Sequence, residues 1–157
     1  MMEIFSSYIR WLGKIAEIGI EETVFGFLPK NSQASYLDWG CDDGAKTIDR
    51  AKTIGTKKIN GIEIIISRAE LAKKRGIRTY NFDLNGVWNI PSNSFDVVTA
   101  TEVVEHLVNL DNFFDQIKRV LKKGGKLIIS TENLASPHNI FALLLGHQPF
   151  TGPYLSR

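Results

Sequence analysis

The chain has 157 residues, 43% of them hydrophobic and 23% charged, with a formal net charge of +2. That composition excludes a disordered chain, and the length fits one domain with a single core. A charge so near zero leaves no footprint for nucleic acid, and the longest wholly apolar stretch, Ile140 to Leu145, falls far short of the roughly 20 residues of a membrane span.

The lysines gather at Lys57-Lys58, Lys73-Lys74-Arg75 and Lys122-Lys123, each near an expected helix end. The helix dipole favours cations there, so these groups read as solvated ends. The single cysteine, Cys41, rules out an internal disulfide and fits a reducing compartment. The N-terminus lacks the apolar run and cleavage site of a secretory leader, and the expected location is the cytoplasm.

Residues 3–20 read as an amphipathic helix, with Ile4, Tyr8, Leu12 and Ile15 on one stripe and Phe5, Ile9 and Ala16 beside it. Pro29 and the polar run Asn31-Ser32-Gln33 end it. A strand over Tyr36–Trp39 runs into Gly40, followed by a helix over 45–54 and a strand over Lys58–Ile62. The next helix spans Ser67–Arg75, with Ser67 as N-cap, Glu70 as its capping partner and Gly76 as the stop. A third strand covers Arg78–Phe82.

Beyond Pro91 an apolar strand covers Phe95–Ala100. The helix over Leu110–Leu121 directs Phe113, Phe114, Ile117, Val120 and Leu121 inward, and Lys123-Gly124-Gly125 turns the chain into a fifth strand, Lys126–Ser130. Residues 137–145 form one more helix. Strands alternating with helices of this length predict right-handed βαβ units, hence an α/β fold with a parallel, doubly wound sheet.

In such sheets ligands lie beyond the C-terminal strand ends. The first of these ends reads Asp38-Trp39-Gly40-Cys41-Asp42-Asp43-Gly44. Its glycine spacing matches neither the dinucleotide fingerprint nor the phosphate loop. The preceding acid, Asp38, suits a ligand with a cationic amine at its near end.

This stretch resembles the first motif of the class I, S-adenosylmethionine-dependent methyltransferases, D-x-G-C-G-x-G, at Asp38, Gly40, Cys41 and Gly44. It departs at Asp42, where the family usually has glycine. Aspartate tolerates a left-handed backbone, but its carboxylate would oppose the carboxylate of the cofactor. The motif leading into the fifth strand, Leu121-Lys122-Lys123-Gly124-Gly125-Lys126-Leu127, and Phe95-Asp96-Val97-Val98 of the fourth are also similar to the family's.

The resemblance implies a Rossmann-like sheet of order 3-2-1-4-5 and S-adenosylmethionine as cofactor, with S-adenosylhomocysteine as product. It assigns the cofactor to Asp38, Gly40, Cys41, Asp42, Gly44, Glu63, Ile64, Asp83, Leu84 and Thr101. Within this set Glu63 would take both ribose hydroxyls and Asp83 would accept from the adenine amino group. A carboxylate has the acceptor capacity for the first task.

After the fourth strand comes Thr101-Glu102-Val103-Val104-Glu105-His106-Leu107, similar to a stretch of ubiquinone-type O-methyltransferases and of small-RNA 2′-O-methyltransferases. On one helical turn Glu102, Glu105 and His106 would share a face. Two roles stay open: Glu102, Glu105 and His106 hold a divalent cation such as Mg²⁺, with His138 or His147 as a further ligand, or His106 alone is the base that takes the acceptor's proton.

One domain over 1–157 is expected, with a helical cap at 1–30, a core at 35–131 and a partial acceptor-side segment at 132–157. The reading is a methyltransferase acting on a small-molecule hydroxyl. The alternative is a non-catalytic relative that keeps the cofactor fold as a binding module. The family's usual sheet has two more strands after the fifth, so the sequence further predicts a truncated sheet. Its fifth-strand edge would either pair in a homodimer or lie under the segment 137–150.

Overall fold

A computed structural model describes residues 18–82, 85–131, 133, 135–144 and 146. A helix over residues 18–27 (α1) opens the described chain. It continues past the expected end at residue 20, while the stripe from Ile4 to Ala16 lies outside the described residues. Then follow β1 (Ser35–Trp39), α2 (Ala45–Ile54), β2 (Lys58–Ile62), α3 (Ile66–Lys74), β3 (Arg78–Tyr80), β4 (Phe95–Thr101), a 3-10 turn (Val104–His106), α4 (Leu110–Val120), β5 (Leu121–Ser130) and α5 (Pro137–Leu144).

The five strands form one sheet in the order β3-β2-β1-β4-β5, with every neighbouring pair parallel. This is the expected α/β architecture and strand order. Among the described residues β5 is an edge strand, and no helix is long and apolar enough to cross a membrane.

Both faces of the sheet are covered, as the period of two in the strands requires. Leu37, Trp39, Val98 and Ala100 pack with Trp88, Phe113, Ile117 and Val120 on one side. Tyr36, Val97 and Ile128 point the other way and meet Val24 and Leu28 from the N-terminal segment and Ala51 and Ile54 from α2. The aromatic centre of the first face is tight: the rings of Trp39 and Trp88 lie 3.8 Å apart, and Trp39 meets Phe113 edge-on at 4.6 Å.

Four local expectations need correction. Ser67 does not cap α3. Ile65, in extended backbone, holds that position without a side-chain hydrogen bond, and the helix starts at Ile66. Lys123-Gly124-Gly125 is not a turn before the strand, because β5 begins directly at Leu121. The residues between the pairs Phe95–Leu121 and Val97–Lys126 form an irregularity in the ladder, with Gly124 at φ +80°. Phe114 is 46% exposed on the outer side of α4, and the third strand stops at Tyr80, short of Phe82.

Removing the Trp88 ring would leave Trp39 and Phe113 facing a void. Trp88→Ala should therefore destabilise the fold by about 3–5 kcal/mol, read by urea unfolding. A loss within about 1 kcal/mol would mean that this cluster is not a structural centre.

Candidate cofactor site

The site begins with a buried charge. Asp38, in β1 and 2% exposed, accepts hydrogen bonds from Arg50 Nη1 at 3.0 Å, Thr47 Oγ1 at 2.5 Å and Thr99 Oγ1 at 2.5 Å. Tyr36 and Thr99 share a further hydroxyl contact at 2.8 Å. Arg50 uses its remaining donors on Glu21 of α1 and, at 3.0 Å, on Thr101 Oγ1 at the end of β4. Burial pushes the Asp38 carboxyl up, against the opposing pull of Arg50, Thr47 and Thr99.

Three protein donors, one of them a cation, already surround Asp38. The cation is Arg50, which the sequence reading passed over. A signal was present: Thr47, Arg50, Ala51 and Ile54 recur at inward helical spacing, and all four are buried.

Above this network the chain leaves β1 through Gly40, at φ +67°, whose N–H donates to Ile62 O at 3.0 Å, as does that of Cys41. Gly44 starts α2 at φ +84°. A Cβ there would run into Ile77 Cδ1 and sit 3.2 Å from Ala72 Cα, so α3 can pack against the turn only if this residue is glycine. Asp42 takes the left-handed conformation, at φ +49°, in the place where the family usually has glycine. Its carboxylate forms a two-pronged ion pair with Arg68 of α3, and those hydrogen bonds hold it below the usual carboxylate range.

Glu63 follows β2 and is 8% exposed. One carboxylate oxygen accepts from Asp42 N at 3.0 Å and the other from Ile65 N at 2.8 Å, so this side chain ties the turn to the start of α3. Each oxygen can accept a second bond, which leaves room for two ligand hydroxyls. Ile64, Ile65 and Ile66 stand 59%, 57% and 68% exposed beside it. Asp83 and Leu84 lie outside the described residues.

The stretch after β4 departs from expectation. Only Val104–His106 is helical, as a single 3-10 turn, and Glu102 precedes it in the left-handed region at φ +55°. Glu102 accepts from Ser130 Oγ at 2.9 Å, and Glu105 accepts from Thr131 Oγ1 at 3.3 Å. Among the described residues no three His, Cys, Asp or Glu side chains form a metal-holding group. The residues present therefore do not fit the cation expected at Glu102, Glu105 and His106. Glu102 lies outside the 3-10 turn in left-handed backbone, so the three residues do not share one helical face. The side chains of His138 and His147 lie outside the described residues.

Two outcomes are expected from this geometry. Arg50→Met should cost about 3–5 kcal/mol in urea unfolding, because it strands the Asp38 charge; a cost under about 1 kcal/mol would contradict the buried-pair account. Burial also pushes the Cys41 thiol up to about 12, so it stays protonated well above neutral pH. A thiol reagent at pH 8 should then label Cys41 only through unfolding, and rapid labelling of the folded protein would refute this.

A family model described as a methyltransferase domain matches residues 10–150. A mitochondrial ubiquinone biosynthesis O-methyltransferase from Dictyostelium discoideum is 30% identical over 125 residues, which cover 70% of this chain and 39% of that protein. A demethylmenaquinone methyltransferase from Tropheryma whipplei is 31% identical over 96 residues, 59% of this chain and 39% of its own length. The chain thus spans about two fifths of the length of these curated relatives.

Among solved structures, an S-adenosylmethionine-dependent methyltransferase from Thermotoga maritima, described as a possible histamine N-methyltransferase, superposes with a TM-score of 0.68 at 21% identity. The match covers 88% of this chain and 63% of that one. With motif, strand order and family match in agreement, the chain belongs to the class I, S-adenosylmethionine-dependent methyltransferases.

Proposed function

We propose that this chain binds S-adenosylmethionine across the C-terminal ends of β1 and β2 and directs its methyl group to the hydroxyl of a small molecule. The observation that carries the reading is the bond from Asp42 N to the Glu63 carboxylate. It joins a left-handed glycine turn, able to pass close to a ligand, to a buried acid whose two oxygens keep spare acceptor capacity for a vicinal diol.

The cofactor, when bound, supplies an electrophilic methyl group and its own leaving group. The protein's tasks are therefore binding, alignment and exclusion of water. The turn 40–44 takes the amino-acid end, and Glu63 takes the ribose. The apolar surface at Ile64 borders the adenine. Thr101, held by Arg50, lies toward the reacting side. His106 is the candidate base, accepting the proton of the acceptor hydroxyl on a ring nitrogen as the oxygen–methyl bond forms. The choice of a hydroxyl acceptor draws on the O-methyltransferase named among the relatives.

Calorimetric titration with S-adenosylhomocysteine tests this reading. A hydrogen-bonded charged acceptor contributes about 1.5–3 kcal/mol, so Glu63→Ala should weaken binding by roughly 10- to 150-fold. An intact Glu63→Ala protein of unchanged affinity would remove Glu63 from the site. A folded wild-type protein that takes up no S-adenosylhomocysteine would sink the reading as a whole, and tight binding without methyl transfer to any hydroxyl would favour a binding module.

A further inference from the structure

The turn carries a charge where a glycine is expected, and α3 reaches across to meet it. Arg68 pairs with Asp42 through both guanidinium prongs. Arg75, at the end of the same helix, donates from Nε to Asp43 O at 2.9 Å and from Nη2 to Asp43 Oδ2 at 3.2 Å. Seven residues apart, these two arginines share one face of α3 and engage two successive residues of the turn.

Glu63 closes the arrangement from below by accepting from Asp42 N and Ile65 N. The backbone at Asp42 and at the start of α3 is thereby tied to one carboxylate.

We propose that Arg68 is a positioning residue for the cofactor turn, acting through Asp42. It neutralises the carboxylate that replaces the family's second glycine and pins the left-handed turn against α3. The inference rests on the cofactor reading above. Without Arg68 an ionised carboxylate would stand unpaired in the turn that receives the cofactor's own carboxylate, and the turn would lose a tie to α3. Asp42 and Arg68 thus form one unit, and the glycine's place is taken by the pair. Arg68 is 38% and Asp42 58% exposed at the side chain, so the effect is open to screening by salt.

The test is a double-variant cycle read by titration with S-adenosylhomocysteine at low and high salt. Arg68→Ala should weaken binding about three- to tenfold at low salt, and less at high salt. Arg68→Lys should keep part of the affinity, since it restores charge without the fork. Asp42→Gly with Arg68→Ala should return to within about twofold of wild type, because glycine needs no partner. A purely structural role for Arg68 would give a defect that ignores salt and is not rescued by Asp42→Gly, and either result overturns the proposal.

A second measurement needs no ligand. Amide hydrogen exchange at residues 41–44 should quicken in Arg68→Ala, and unchanged exchange overturns the pinning of the turn. If wild-type protein binds no S-adenosylhomocysteine, the cofactor reading fails and the charge-neutralising role falls with it; the exchange result judges the pinning independently.

Discussion

The site depends on one buried ion pair. Asp38 and Arg50 are each 2% exposed at the side chain, and neither tolerates that position alone. Their contact makes the rest of the geometry compulsory. Arg50 must lie on the inner face of α2, and the Thr47 and Thr99 hydroxyls must face Asp38. Glu21 must come from α1 to share the guanidinium. Four elements thereby converge beneath the point where the chain leaves β1, and Gly40 emerges at a fixed height and angle. An apolar core would pack the same helices, but it would let them slide; a network of directed donors does not.

Much of the fold was legible because its signals are local and periodic. The limits of α2 and β2 coincide with those expected from the sequence, and the alternation of strands and helices led to the parallel α/β class, while the strand order came from the family resemblance. Gly76, in left-handed backbone just past α3, marks that helix's end as the sequence suggested. The misreadings have a common cause in tertiary context. Ser67 reads as a cap on its own, yet Glu63 satisfies the Ile65 N–H from outside the helix. The glycines at 124 and 125 read as a turn, yet the ladder with β4 absorbs them as an irregularity. The Arg50 contact was missed because nothing in the sequence around Asp38 announces that Arg50 will reach it.

Non-glycine residues sit in left-handed backbone both in the turn after β1 and in the stretch after β4, Asp42 at φ +49° and Glu102 at φ +55°. In the turn 40–44 the N–H groups of Gly40, Cys41 and Asp42 and the carboxylates of Asp42 and Asp43 bond to residues outside the turn, so the turn is organised in advance of any ligand. After β4, Glu102 is held in that conformation by Ser130 at the end of β5. Such a conformation persists only where its surroundings impose it, and it concentrates at functional positions. The stretch from Glu102 to His106 was the least legible part of the sequence for the same reason. Its pattern fits a helical turn, and the bond to β5 prevents one.

The central claim is that the C-terminal ends of β1 and β2 form one cofactor cradle, tied together through Glu63. Chemical-shift mapping of backbone amides during titration with S-adenosylhomocysteine tests it most directly. The account predicts the largest changes at Gly40–Gly44 and at Glu63–Ile65. Amides around Asp96 and Lys122, at the opposite end of the sheet, should stay still. Shifts concentrated at that opposite end, or a saturated complex in which the turn and Glu63 do not respond, would contradict it.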